Sequence, residues 1–167
     1  APPPDSLDSV VVYDRDGVRV TAFRVVHPPV EPAVGYRFDY KGRSIVFSGV
    51  TTAAPALVRA ARGADLLVHE GLSPRLTALM TRALDGRNAP VAKITRDILD
   101  YHADPAMVAA EAQRAGVRNL VFSHTIPSMP IRIAYPAFLG DARSRFDGTI
   151  TVGEDGKLAA SVSGATV

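Results

Sequence analysis

The stretch Gly63-Ala64-Asp65-Leu66-Leu67-Val68-His69-Glu70-Gly71 decides the fold. Residues 65–69 form a nearly continuous apolar run between glycines, and they read as a strand covered on both faces, as in a parallel sheet. A second such run, Asn119-Leu120-Val121-Phe122-Ser123, also leads into a histidine, His124. Between the two, residues 105–115 are helical, with Asp104 as the cap, Pro105 in the first turn and Gly116 as the stop.

Working outward toward the N-terminus, short strands are expected at 10–13, 18–26, 34–40 and 44–48. Turn signals at 14–17 and 41–43 join them into a β-meander over the first fifty residues. Helices are expected at 53–62, 75–84 and 136–146, with a short helix or turn at 95–101. A closing hairpin pairs 149–152 with 157–162. The fold class is therefore α/β with an antiparallel start: one domain over 10–167 after an extended Pro-rich tail, 1–9.

Composition narrows the function. The chain has 167 residues, 47% of them hydrophobic and 22% charged, which suits one globular core. Cysteine is absent, so disulfides, thiolate zinc ligation and a cysteine nucleophile are excluded. No apolar run reaches the roughly 18 residues of a membrane span. Nineteen basic against seventeen acidic residues is too even a balance to suggest nucleic acid. The chain opens on Ala1, as a processed, trimmed or fragmentary chain does. A soluble protein is expected, cytoplasmic, or periplasmic if a leader was removed.

The four histidines fall near strand ends: His27 after 18–26, His69 after 65–68, His124 after 119–123, and His102 just before the helix feeding that last strand. Ligands of α/β sheets gather beyond the carboxyl ends of strands, so the four histidines and the loop Ser48-Gly49-Val50-Thr51-Thr52 are expected to converge there. Imidazole suits both metal ligation and acid–base chemistry near neutral pH. No HxH or HExxH pair is present, so spacing alone defines no metal site. His69-Glu70 reads equally well as a structural pair.

Four segments in order carry a family resemblance: VVHPPVEPAVGYRFDYKGRSIVFSGVTT, GADLLVHEG, ILDYHADPAMVAAEAQRAGVRNLVFSHTIP and FDGTITVGEDG. Together they resemble the C-terminal half of a metallo-β-lactamase-fold hydrolase, in the branch of ribonuclease Z and arylsulfatase-like enzymes. The resemblance implies half of an α/β/β/α sandwich, a mixed sheet with helices on one face. It also implies a two-metal site, usually zinc, between the sheets. His27 and His124 match one ligand of each metal. His102 matches the histidine of an HST-like motif that assists ester or phosphoryl cleavage, and Glu70 matches the acid that orients it. The substrate so implied is a small-molecule ester, a sulfate or a phosphodiester.

Two departures qualify this. The family's HxHxDH run, which supplies ligands to both metals, lies upstream of the residues present. The loop that reads Ser-Gly-Asp-Thr in the family, with a metal-bridging Asp, reads Ser48-Gly49-Val50-Thr51 here. Valine cannot ligate, and Thr51 and Thr52 are poor substitutes. Weak or absent zinc binding is expected of this chain alone, with an incomplete site and no activity of its own. With one half missing, one apolar sheet face should lie open, to be covered by a second copy of the chain or by the N-terminal half. The alternative function is a catalytically inactive module of the same fold, used for protein association. Residues 72–92 and 128–135 are the expected pocket walls.

Overall fold

The structure is a computed structural model that describes residues 8–156. Among these residues, seven strands form one mixed sheet in the order β1 to β7. β1 (Ser9–Arg15), β2 (Val18–Val25), β3 (Ala33–Tyr40) and β4 (Arg43–Phe47) are antiparallel neighbours, as the meander reading expects. Their turns at Asp16-Gly17 and Lys41-Gly42 place both central residues at positive φ, the geometry that matches strand twist in two-residue hairpins. β4, β5 (Leu66–Leu72), β6 (Asn119–Ile126) and β7 (Thr149–Val152) are parallel. β7 thus finds its described partner in β6. The hairpin partner expected at 157–162 lies outside the described residues.

The helices differ from expectation where proline and glycine act. α1 (Pro55–Ala60) begins at Pro55 rather than at 53, because proline fits a helix only in its first turn. α2 (Pro74–Leu84) and α4 (Pro105–Ala115) start in the same way, capped by Ser73 and Asp104. α3 (Ala89–Asp97) was not expected from the sequence; Pro90 sits in its first turn and the Asn88 side chain caps it by accepting from Val91 N–H. Of the region 95–101, only the 3-10 turn Ile98–Asp100 stands apart from α3. The helix expected at 136–146 breaks at Gly140 (φ 51°) into α5 (Tyr135–Leu139) and the 3-10 turn Gly140–Ser144.

One sheet face carries the core. Phe23, Val46, Leu67, Leu120 and Phe122 meet Leu57 of α1, Val108 and Ala112 of α4, and Phe138 of α5, all buried. The opposite face holds two apolar rows in register, Val20-Phe38-Ile45-Leu66 and Ala22-Tyr36-Phe47-Val68-Val121. Tyr36, Phe38, Ile45 and Phe47 on it remain 37–43% exposed, a contiguous aromatic patch in which the Phe38 and Phe47 rings meet edge to face at 5.8 Å. The uncovered face expected from the sequence is therefore present on β3 and β4. β5 is covered on both faces except at half-buried Val68.

The parallel strands are pinned at their amino ends by buried Asp65. Its carboxylate accepts from Ser44 N–H (2.9 Å), Arg43 Nη1 (3.2 Å) and Arg118 Nη1 (2.7 Å). Burial works against the charge, but the Ser44 amide and the two guanidinium groups outweigh it and hold the Asp65 pKa below its usual value. A lowered carboxylate pKa stabilises the fold above the unfolded-state value of about 4, and that contribution is lost as pH falls from there through the lower folded-state value. Asp65→Asn is expected to lower unfolding stability by about 1–3 kcal/mol at pH 7. In urea melts it should also remove part of the acid-dependent loss seen in the wild type; a melt unchanged at pH 7 would contradict this role.

Candidate active site

The site grows from an irregularity between β5 and β6. His69 pairs with Phe122, and pairing resumes at Gly71 with Thr125, so Glu70 alone stands opposite Ser123 and His124. This is a β-bulge, which re-aims side chains where it occurs. His124 lies at φ 47°, a left-handed conformation uncommon outside glycine. His69 and His124 therefore lie inside strands that continue to Leu72 and Ile126, not at strand ends as expected.

Glu70 is 2% exposed and both its oxygens are engaged. Oε1 accepts from Ala103 N–H at 2.7 Å and Oε2 lies 3.1 Å from His102 Nδ1. Leu72 N–H donates to Ala103 O at 2.8 Å, so the segment leading into α4 is stitched to the end of β5. An ionised carboxylate only accepts, so Nδ1 carries the proton and Nε2 is the second ring nitrogen. The His102 ring centroid stands 6.1 Å from that of His27 and 5.7 Å from that of His124. Three of the four histidines thus converge. Tyr101, which the sequence reading missed, lies 5.0 Å from His27 and 5.2 Å from His102, ring to ring. Its place directly before His102 is the one signal that could have found it.

His69 does not join them. It points into the helix side of the sheet and is fully buried, with Nδ1 2.7 Å from Glu70 O. A carbonyl can only accept, so His69 Nδ1 is protonated, and Nε2 is buried without a partner. Burial pushes the His69 pKa down against the opposing pull of the Glu70 carbonyl and carboxylate. Of the two residues read as a pair, His69 is structural and Glu70 serves the cluster.

The donor set does not make a metal site by itself. His27 Nδ1 is buried with no hydrogen-bond partner, and His27 and His124 flank His102 from different elements. Among the described residues, no three His, Asp or Glu side chains are grouped so as to hold an ion. Thr51 Oγ1 is taken up by backbone groups, at 2.9 Å from both Val26 N and Thr52 O. Beside His124 opens a cleft of about 700 Å³ walled by Ser123, Ser128, Met129, Gly153 and Glu154. Residues 128–130 thus contribute as expected, whereas from 72–92 Ser73, Pro74 and Arg75 line a separate cavity of about 390 Å³ beside Asp104. Arg132 and the Tyr135 hydroxyl both bind Glu154, each at 2.8 Å, which fixes that wall and raises the Tyr135 pKa.

The fold and this geometry have counterparts. Ribonuclease Z of Mycobacterium marinum is 34% identical over 158 residues, covering 93% of this chain and 53% of that protein. YhfI of Bacillus subtilis, a metallo-β-lactamase-fold protein, superposes with a TM-score of 0.61 at 15% identity, over 87% of this chain and 50% of its own. The short form of human tRNase Z superposes with a TM-score of 0.51 at 24% identity, over 71% and 39% respectively. This chain is a metallo-β-lactamase-fold protein related to ribonuclease Z. No family model matches the sequence. The chain spans about half the length of the curated relatives it matches. Among the described residues, no helix of this metallo-β-lactamase-fold chain is long and apolar enough to cross a membrane.

Two outcomes follow for the histidines. In Glu70→Gln the amide oxygen stays with Ala103 N–H and the amide NH₂ turns to His102. Nδ1 must then accept, so ring nitrogen NMR should show the His102 proton moved to Nε2; an unchanged tautomer would show that Glu70 does not set it. His69 should titrate at lower pH than a free imidazole in the folded protein, read by ring-proton NMR, because burial disfavours its charged form. Because its folded pKa is depressed, its contribution to stability is present above the unfolded value of about 6.5 and declines below it.

Proposed function

We propose that this chain is the C-terminal part of a metal-dependent hydrolase that cleaves phosphodiester bonds, with RNA as the substrate class. The observation that carries the reading is the Glu70–His102 pair, set between His27 and His124. Relatives named ribonuclease Z support RNA over a small ester or sulfate.

His102 is the catalytic residue of this reading. With Nδ1–H tied to Glu70, a protonated His102 presents its second N–H, on Nε2, to the scissile phosphate. Water adds to phosphorus and releases one proton to solvent, the bond to the leaving oxygen breaks, and the Nε2 proton passes to that oxygen. Glu70 stabilises the cationic ring before transfer and keeps its orientation afterwards. A positioned acid of this kind contributes about 10²–10⁴ in rate.

His27 and His124 are suitable zinc donors but do not complete a site, since a stable one needs at least three protein ligands. Further donors must come from the other half of the sandwich. That half would also cover the aromatic face of β3 and β4. On its own the chain should bind zinc weakly or not at all. A second reading, an inactive association module, draws on half-buried Val50 in the β4–α1 loop and on the same open face.

The test is hydrolysis of RNA and of bis(p-nitrophenyl) phosphate by the intact protein, equilibrated with zinc and desalted. Activity is expected with bound metal, and His102→Ala should lower kcat by about 10²–10⁴ at unchanged zinc content. Retained zinc with no hydrolysis of either substrate would favour the association module.

A further inference from the structure

The loop from Ser48 to Ala54, between β4 and α1, bonds the backbone beside His27 and at Glu70, on two sides of the histidine cluster. Its two polar anchors are almost wholly buried: Ser48 is 1% exposed and Thr51 0%. At one end, Ser48 N–H donates to Val68 O at 3.0 Å, and Ser48 Oγ accepts from Glu70 N–H at 3.3 Å. At the other, Thr51 Oγ1 accepts from Val26 N–H and Thr52 N–H donates to Val26 O, both at 2.9 Å. Val26 immediately precedes His27, and Glu70 holds His102.

The loop is itself constrained. Gly49 lies at φ 69°, and a Cβ there would meet Val34 O at 2.7 Å, so glycine is required for both backbone and space. The loop is thus bonded to β5 and to Val26 just after β2, and its two hydroxyls are acceptors for backbone amides at both places.

We infer that Ser48 and Thr51 are positioning residues: Thr51 sets His27 through the Val26 amide, and Ser48 sets Glu70, and through it His102, through the Glu70 amide. This rests on the reading of His27 and His102 given under the proposed function, but its test is geometric and needs neither metal nor turnover. Failure of the inference and failure of that reading are therefore distinguishable.

The experiment compares Thr51→Val, Thr51→Ser and Ser48→Ala in the intact protein, by amide hydrogen exchange and by ring-to-ring NOEs. In Thr51→Val the Val26 amide should exchange roughly tenfold faster, as for loss of one buried hydrogen bond. The His27–Tyr101 NOEs should weaken, while those between Phe122 and Phe138, whose rings lie 5.7 Å apart in the core, persist. Thr51→Ser keeps the hydroxyl and should retain wild-type exchange and NOEs. Ser48→Ala should instead accelerate exchange at Glu70 and weaken the His102–His124 NOEs, sparing His27–Tyr101. The inference is overturned if Thr51→Val folds with the His27 contacts intact. It is equally overturned if Thr51→Ser, folded, loses those contacts, which also decides the matter should Thr51→Val not fold.

Discussion

A buried carboxylate with both oxygens committed is the constraint on which this site depends. Glu70 stands alone opposite two residues of β6 and reaches sideways to Ala103 N–H and His102 Nδ1. Desolvating a carboxylate is costly, and hydrogen bonds to the charged form are what make that burial tolerable. The same bonds decide where the chain enters α4, which ring nitrogen of His102 carries the proton, and how close His102 comes to His124. The bulge gives Glu70 its place, and the left-handed His124 backbone is the local cost of that bulge.

The sheet is asymmetric in a way that matters for function. One face is packed by α1, α4 and α5 around Phe23, Leu120 and Phe122. The other presents Tyr36, Phe38, Ile45 and Phe47, with no described element over them. Contiguous exposed apolar side chains of this kind are the feature by which interaction surfaces are recognised. Among the described residues the donor set at His27 and His124 is likewise incomplete. Both observations agree with a chain that spans about half the length of its ribonuclease Z relatives.

Local rules explain where sequence reading succeeded and where it did not. The β-meander was legible because period-2 alternation and the glycine turns at Gly17 and Gly42 are local signals. α4 was legible because cap, proline and glycine stand at its ends. Most of α3 escaped because residues 72–92 read as pocket walls and a short helix or turn was expected only at 95–101, although Pro90 sits in a helical first turn. The open face was predictable from alternation together with a family resemblance. The separation of His69 from the other three histidines was not, because the side on which a residue points follows the register of the pairing.

The sequence by itself determined the strands and most of the helices, the absence of cysteine chemistry, and the short inventory of histidines and acids from which a site could be built. It also held the resemblance that singled out His27, Glu70, His102 and His124. Tertiary structure alone decided that Glu70 bonds His102 while His69 turns into the core, that Tyr101 packs beside both His27 and His102, and that buried Ser48 and Thr51 anchor the backbone around them. The physical reason is range. Turn and capping preferences act over a few residues, whereas the hydrogen bonds among these contacts join positions 22 to 32 residues apart and exist only once the strands have paired in register.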